Sequence, residues 1–207
     1  MKIKQISPNC LGLSLSSSQE KRRKIDVAIC RGEEDIKTLK AKSDVLILTK
    51  NAPPEMPKGK QTAFVIDSPG EYEIQGVFIQ GLGMTKEKEM ALTAIMEENL
   101  IACYLEGSGW RELSSEQMEA VGTIDVLIIP FEGEKGLSAK EIREAISEIE
   151  PKMVVFVLRL MKKKSPEGIA EILREMGIKS FESLNELSVR KEELKEEGRI
   201  VIVLLPE

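Results

Sequence analysis

Apolar residues fall in short blocks along this chain, and the spacing of the blocks changes character between the first two thirds and the last. Ile3 to Ile6, Leu11 to Leu15 and Ile25 to Cys30 alternate in part with polar neighbours, the period of strands with one buried face. Ser16 to Ser18 and then Gln19 to Lys24 form a polar turn between the second and third of these. Asp44-Val45-Leu46-Ile47-Leu48-Thr49 is apolar almost throughout, as in a strand covered on both faces. The stretch Asn51-Ala52-Pro53-Pro54-Glu55-Met56-Pro57 is a loop, because proline lacks the N–H that a ladder needs and fixes φ. Strands resume at Ala63 to Asp67, Tyr72 to Gln80, Ala91 to Met96 and Leu100 to Leu105, with Gly70, Gly76, Gly81 and Gly83 marking turns or bulges.

The last third alternates helix and strand. Ser114 with Gln117 predicts a capped helix that Gly122 ends, and Leu113 with Met118 suits a hydrophobic staple. Ser138 with Glu141 is a second capping box, followed by Ile142, Ala145, Ile146 and Ile149 at helical spacing until Pro151. Ser165-Pro166 opens a third helix with Ile169, Ile172, Leu173 and Met176 on one face, closed by Gly177. Asp125 to Pro130, Met153 to Leu158 and Ile200 to Leu205 read as strands, and 187–190 as a short strand followed by a turn. The core Asp44-Val45-Leu46-Ile47 recurs as Asp125-Val126-Leu127-Ile128, which suits a fold of two similar halves. No linker-like stretch divides the chain, so residues 1–207 are expected to form one domain.

Composition narrows the chemistry. The chain contains no histidine, which excludes an imidazole base and a histidine-ligated metal. Cys10, Cys30 and Cys103 are few, odd in number and widely spaced, so they are expected to be small buried apolar residues in a reducing, cytoplasmic compartment, with no disulfide framework and no thiolate metal site. A net charge of -5 and 4% aromatic residues argue against nucleic acid as a partner. No apolar run approaches the length needed to cross a bilayer, and Lys2 and Lys4 are followed by too short a block for a signal peptide.

Several segments, in order, resemble the metallo-β-lactamase superfamily in its small single-domain hydrolase-like branch. Ser68-Pro69-Gly70-Glu71-Tyr72-Glu73-Ile74-Gln75-Gly76-Val77 resembles its P-G-E-Y-E-x-x-G-V segment, and Asp125 to Pro130 its D-V-L-x-x-P strand. Glu150-Pro151-Lys152-Met153-Val154 resembles E-P-K-x-V, and Leu11-Gly12-Leu13-Ser14 stands where the branch has L-G-H-S. The likeness runs from about residue 3 to the end. It implies a four-layer αβ/βα sandwich of α/β (α+β) class, two mixed sheets face to face with helices outside. It also implies a dinuclear metal site, usually zinc, at the sheet edges, with a metal-activated water as nucleophile.

The positions that would carry that site do not carry its ligands. Against the T-H-x-H-x-D-H loop, the histidines fall on Lys50, Ala52 and Glu55 and the aspartate on Pro54. Against H-L-G-D, Tyr104 replaces the histidine and Gly107 the bridging aspartate; Leu158 stands for the closing histidine and Leu13 for that of L-G-H-S. Ala52, Pro54, Gly107 and Leu158 have no donor side chain, and Lys50 puts a positive charge where a cation would sit. The resemblance therefore implies the fold and argues against the chemistry.

Other constellations are weaker. Asp67, Glu71 and Glu73 would form a carboxylate cluster able to take Mg²⁺ or Mn²⁺ if a strand placed them together, although a solvated strand face is the plainer reading. Ser18/Lys21 and Ser188/Lys191 have S-x-x-K spacing, but both lie in charged stretches where a lysine keeps its proton. Gly107-Ser108-Gly109 reads as a turn sooner than an anion cradle, and Trp110 as loop packing. The basic runs Lys21-Arg22-Arg23-Lys24 and Lys162-Lys163-Lys164 read as solvated loops. The expected function is thus that of a pseudoenzyme, with no catalytic residue, metal or cofactor, serving as a binding or scaffold module for a protein partner or a second copy. The alternatives are a residual hydrolase with a carboxylate-only metal site and, below it, nucleic-acid binding through the basic runs.

Overall fold

Strands form where the period of two was read, and they gather into two sheets because each carries an apolar face that must be covered. The computed structural model describes residues 1–7, 9–16, 23–31, 42–50, 63–83, 90–106, 113–131, 136–158, 170, 173–174, 176–194 and 200–204, with backbone alone for Lys50 and 200–204. The first sheet contains β1 (Lys2–Ser7), β2 (Cys10–Ser16), β3 (Lys24–Arg31), β4 (Val45–Lys50), β5 (Phe64–Ile66) and β13 (Glu186–Ser188), in the order β13-β1-β2-β3-β4-β5. The second contains β6 (Gly70–Ile74), β7 (Val77–Leu82), β8 (Leu92–Glu97), β9 (Leu100–Leu105), β10 (Val126–Phe131), β11 (Met153–Leu158), β12 (Glu182–Leu184) and β14 (Ile200–Leu204), in the order β12-β14-β11-β10-β9-β8-β7-β6. Both sheets are mixed. β3, β4 and β5 run parallel, as do β9, β10, β11, β14 and β12, while the remaining pairs are antiparallel. This is the two-sheet sandwich that the resemblance implies.

The main core lies between the sheets, from Ile3, Leu11, Leu13, Ile29 and Ile47 on one side to Ile79, Ile95, Tyr104, Ile128 and Val155 on the other. The helices α1 (Ser115–Val121) and α2 (Ala139–Ile149) cover the outer face of the second sheet. Both begin with the expected capping boxes, at Ser114 with Gln117 and Ser138 with Glu141. α2 buries Ile142, Ala145, Ile146 and Ile149, the stripe read from spacing, each large side chain contributing about 1.5–3 kcal/mol. β10 and β11 are buried at every position, which is why they read as unbroken apolar runs. Most of the expected third helix lies outside the described residues. Its end is described: Gly177 has φ +78°, Gly177 N–H donates to the Arg174 carbonyl, and Ile178 N–H to that of Leu173, a Schellman closure.

Two expectations need correction. The block Tyr72 to Gln80 is two strands, not one. Gln75 (φ 53°) and Gly76 (φ 81°) turn the chain back so that Ile74 faces Val77, the left-handed pair that a two-residue hairpin turn requires. Cys10 and Cys30 are not separate thiols: they form a disulfide across β2 and β3, with Cα atoms 4.3 Å apart. Register brings them together, since an antiparallel pair that sets Ser14 opposite Asp26 also sets residue 10 opposite residue 30. The bond withdraws the premise on which a reducing compartment was expected. Cys103 is free and buried, and burial pushes its thiol far above the usual range. A thiol reagent is expected to find no reactive cysteine in the native, unreduced protein, one after denaturation, and three after denaturation with reductant. Mass spectrometry after alkylation checks this.

The repeated D-V-L-I segment has a structural counterpart. Asp44 accepts the Asp26 N–H on its carboxylate (2.9 Å), donates its own N–H to the Asp26 carbonyl and takes the Phe64 N–H on its carbonyl. Asp125 does the same with Ile101 (3.0 Å to the carboxylate) and Met153. Each aspartate thus ties three adjacent strands at their starts, β3-β4-β5 in one sheet and β9-β10-β11 in the other. Among the described residues no helix is long and apolar enough to cross a membrane.

Candidate functional site

The parallel strands of the two sheets end at one common edge. Inward-facing positions there follow by alternation from the apolar core positions two residues earlier: Ile3 leads to Gln5, Ile29 to Arg31, Ile47 to Thr49 and Tyr104 to Glu106. The inner layer therefore changes from aliphatic to polar as it reaches the edge. Glu106 is buried, and its carboxylate accepts a short hydrogen bond from the Thr49 hydroxyl. Arg31 Nε lies 3.5 Å from Glu106 Oε1, with the arginine side chain 20% exposed and that of the glutamate 3%. The carbonyl of Cys30 is 3.4 Å from the same Thr49 oxygen, but the single hydroxyl proton serves the closer carboxylate. Arg31 N–H donates to Asn9 (3.1 Å), and the Cys10–Cys30 bond joins the strands one residue earlier. Gln5 closes the gap between the sheets, donating from Nε2 to the Leu158 carbonyl at 2.7 Å.

The positions singled out from sequence separate into distinct places. Leu13 lies in mid-strand, opposite Ile3 and Val27, buried between the sheets and away from the edge. Tyr104 is buried on the inner face beside the edge. The Leu158 side chain points the other way, into the outer core with Phe156, Leu105 and Phe131; only its carbonyl reaches the junction. Ala52, Pro54, Glu55 and Gly107 lie outside the described residues, as does the side chain of Lys50. Gly107-Ser108-Gly109, Trp110, Ser18/Lys21 and Lys162-Lys163-Lys164 lie outside them as well.

Asp67, Glu71 and Glu73 do not assemble. Glu71 and Glu73 share the exposed face of β6, where Gln80 Nε2 approaches Glu71 at 3.4 Å, and no group of three His, Cys, Asp or Glu able to hold a metal occurs among the described residues. The distinctive P-G-E-Y-E segment is a corner. The Tyr72 hydroxyl donates to the Ser68 carbonyl at 2.9 Å, and its ring meets Phe64 edge-on at 6.4 Å. Ser188 and Lys191 are not a catalytic pair, because the Lys191 ammonium is held by both carboxylate oxygens of Asp125 at 2.5 and 2.6 Å.

Among the described residues, the donor set at the edge does not by itself make a zinc or other divalent metal centre. Its one carboxylate is already held by a hydroxyl and faced by a guanidinium, and the remaining described groups are an amide, a phenol and aliphatic side chains. Sequence reading missed Gln5, Arg31, Thr49 and Glu106 as a group. Their signal was present as polar residues two positions beyond inward apolar ones, but it needs the pairing of the sheets to acquire meaning.

A family model described as a β-lactamase superfamily domain matches residues 17–157, more than half of the chain. Among solved structures, the chain is similar to a protein assigned as a Zn-dependent hydrolase of the metallo-β-lactamase superfamily from Thermotoga maritima, at 22% identity and TM-score 0.70, covering 98% of each chain. It is also similar to a metallo hydrolase from the archaeon Ignicoccus hospitalis, at 10% identity and TM-score 0.55, covering 91% of this chain and 99% of that one. A third, a metallo-β-lactamase fold protein from Bacillus subtilis, matches at 11% identity and TM-score 0.54, covering 97% and 95%. At these identities the likeness is one of fold. No curated protein matches the chain by sequence.

Proposed function

Because the chain belongs to the β-lactamase superfamily, we propose that it is a pseudoenzyme of that family, a metal-free fold retained as a binding or scaffold module. The observation that carries this reading is the Arg31–Glu106–Thr49 cluster at the strand ends. A divalent metal needs several convergent oxygen, nitrogen or sulfur donors with open lone pairs. Here the carboxylate's charge is met by a guanidinium, which also repels any cation approaching the same edge. The absence of histidine throughout the sequence removes the ligands that the strand-end loops would otherwise supply. Fold and metal chemistry separate readily, because the apolar layers and the ties of Asp44 and Asp125 at the opposite ends of the strands hold the sandwich without any metal ligand.

Purification without chelator from cells grown with added zinc, manganese and iron, followed by elemental analysis, tests the proposal. The expected content is far below one equivalent of any of these metals per chain. Stoichiometric metal that survives desalting overturns it.

A further inference from the structure

A second feature lies on the outer face of the second sheet, toward the starts of its parallel strands and away from the edge. A cavity of about 310 Å³ opens between α2, the beginning of β11 and the segment that follows Gly177. Ile146, Val154, Met176 and Ile178 provide its apolar lining, and among the described residues the charged ones on it are Arg143 and Lys179. That size and make-up, apolar walls with a few fixed polar groups, is the pattern of small-molecule sites. The segment that carries Ile178 and Lys179 is positioned by the Schellman closure, in which Gly177 N–H donates to the Arg174 carbonyl and Ile178 N–H to that of Leu173. In a chain of net charge -5, the described residues of this lining include two cations and no acid. Neither Arg143 nor Lys179 makes an ion pair among the described residues, although Lys140, on the same helix, pairs with Glu144.

We propose that this cavity binds a small amphiphile with one carboxylate on an apolar chain, of the medium-chain fatty-acid type. The chain packs on Ile146, Val154, Met176 and Ile178, and the carboxylate sits between Arg143 and Lys179. A cationic amphiphile of the same length is repelled by those two charges, and a short carboxylate lacks the apolar part whose burial supplies most of the affinity. The site is separate from the strand-end edge, so it stands or falls independently of the metal content.

Isothermal titration of the full chain with sodium decanoate below its micelle threshold tests this, with decylamine and acetate as comparison probes. The expected result is saturable decanoate binding at one site, with no saturable binding of either comparison probe. Affinity is expected to fall at least roughly tenfold in the double variant Arg143→Glu/Lys179→Glu and by less in Lys179→Gln. Both residues are exposed, so circular dichroism should show both variants folded. Absence of saturable decanoate binding, equal binding of decylamine, or undiminished affinity in both variants overturns the proposal.

Discussion

Asp125→Ala is expected to lower the free energy of unfolding by about 3 kcal/mol, and Asp44→Ala by about 1.5 kcal/mol. The two aspartates hold the same place in the two halves, so the difference isolates their surroundings. Each loses one charge-assisted bond from a neighbouring strand's N–H. Asp125 is fully buried and in addition holds Lys191 at 2.5 Å and Lys152 at 3.5 Å, whereas Asp44 is half-buried. Removing Asp125 strands the Ile101 N–H and leaves two ammonium groups without their partner. Those ammoniums, on side chains 28–29% exposed, swing toward water, which keeps the cost at the lower end for a broken buried pair. Asp125→Asn should fall between wild type and Asp125→Ala, since the amide oxygen still accepts the Ile101 N–H. Urea unfolding of the three variants checks this, and equal losses for Asp125→Ala and Asp44→Ala would contradict it.

At the edge, Arg31→Leu is expected to cost about 3 kcal/mol, Glu106→Leu about 1 kcal/mol, and the double variant little more than Glu106→Leu alone. The asymmetry follows from burial. Without Arg31, the Glu106 carboxylate stays in place, 3% exposed, having lost the cation that faces it while keeping the Thr49 hydroxyl. Without Glu106, the guanidinium, already 20% exposed, turns outward into solvent. Replacing both leaves an apolar contact and no unpaired charge. A double-mutant cycle in urea measures the coupling, and additive losses would show that the two groups do not form a closed pair. A closed pair is what the proposed function requires, since a carboxylate satisfied within the protein is not available to a metal.

Much of the architecture was legible in the residues. The two capping boxes at Ser114 and Ser138 mark real helix starts, and the unbroken apolar runs at Val126 and Met153 are strands buried on both faces. Local chemistry decides such features, so local sequence reports them. Gly76 was marked as a turn or bulge within one strand block, but the reversal there also needs Gln75 at positive φ, which leaves no mark in a periodicity. The disulfide was missed because sequence separation carries no information about which residues stand opposite each other in a ladder. The carboxylates of β6 were grouped by spacing, yet a strand that sets two side chains on one face does not decide which face is covered.

By itself the sequence determined that no histidine chemistry is available, that the chain folds into strands followed by alternating helix and strand, and that its D-V-L-I core occurs twice. Composition and local periodicity suffice for those statements. Only the tertiary structure decided that Arg31, Thr49 and Glu106 meet, that Leu158 turns its side chain into the outer core, and that Asp125 binds Lys191 from 66 residues away. These contacts join residues far apart in the chain, and the Arg31–Thr49–Glu106 cluster joins both sheets. They depend on which strand ends are brought to one edge, and that is set by sheet order and by the packing of one sheet on the other, not by any neighbour along the chain.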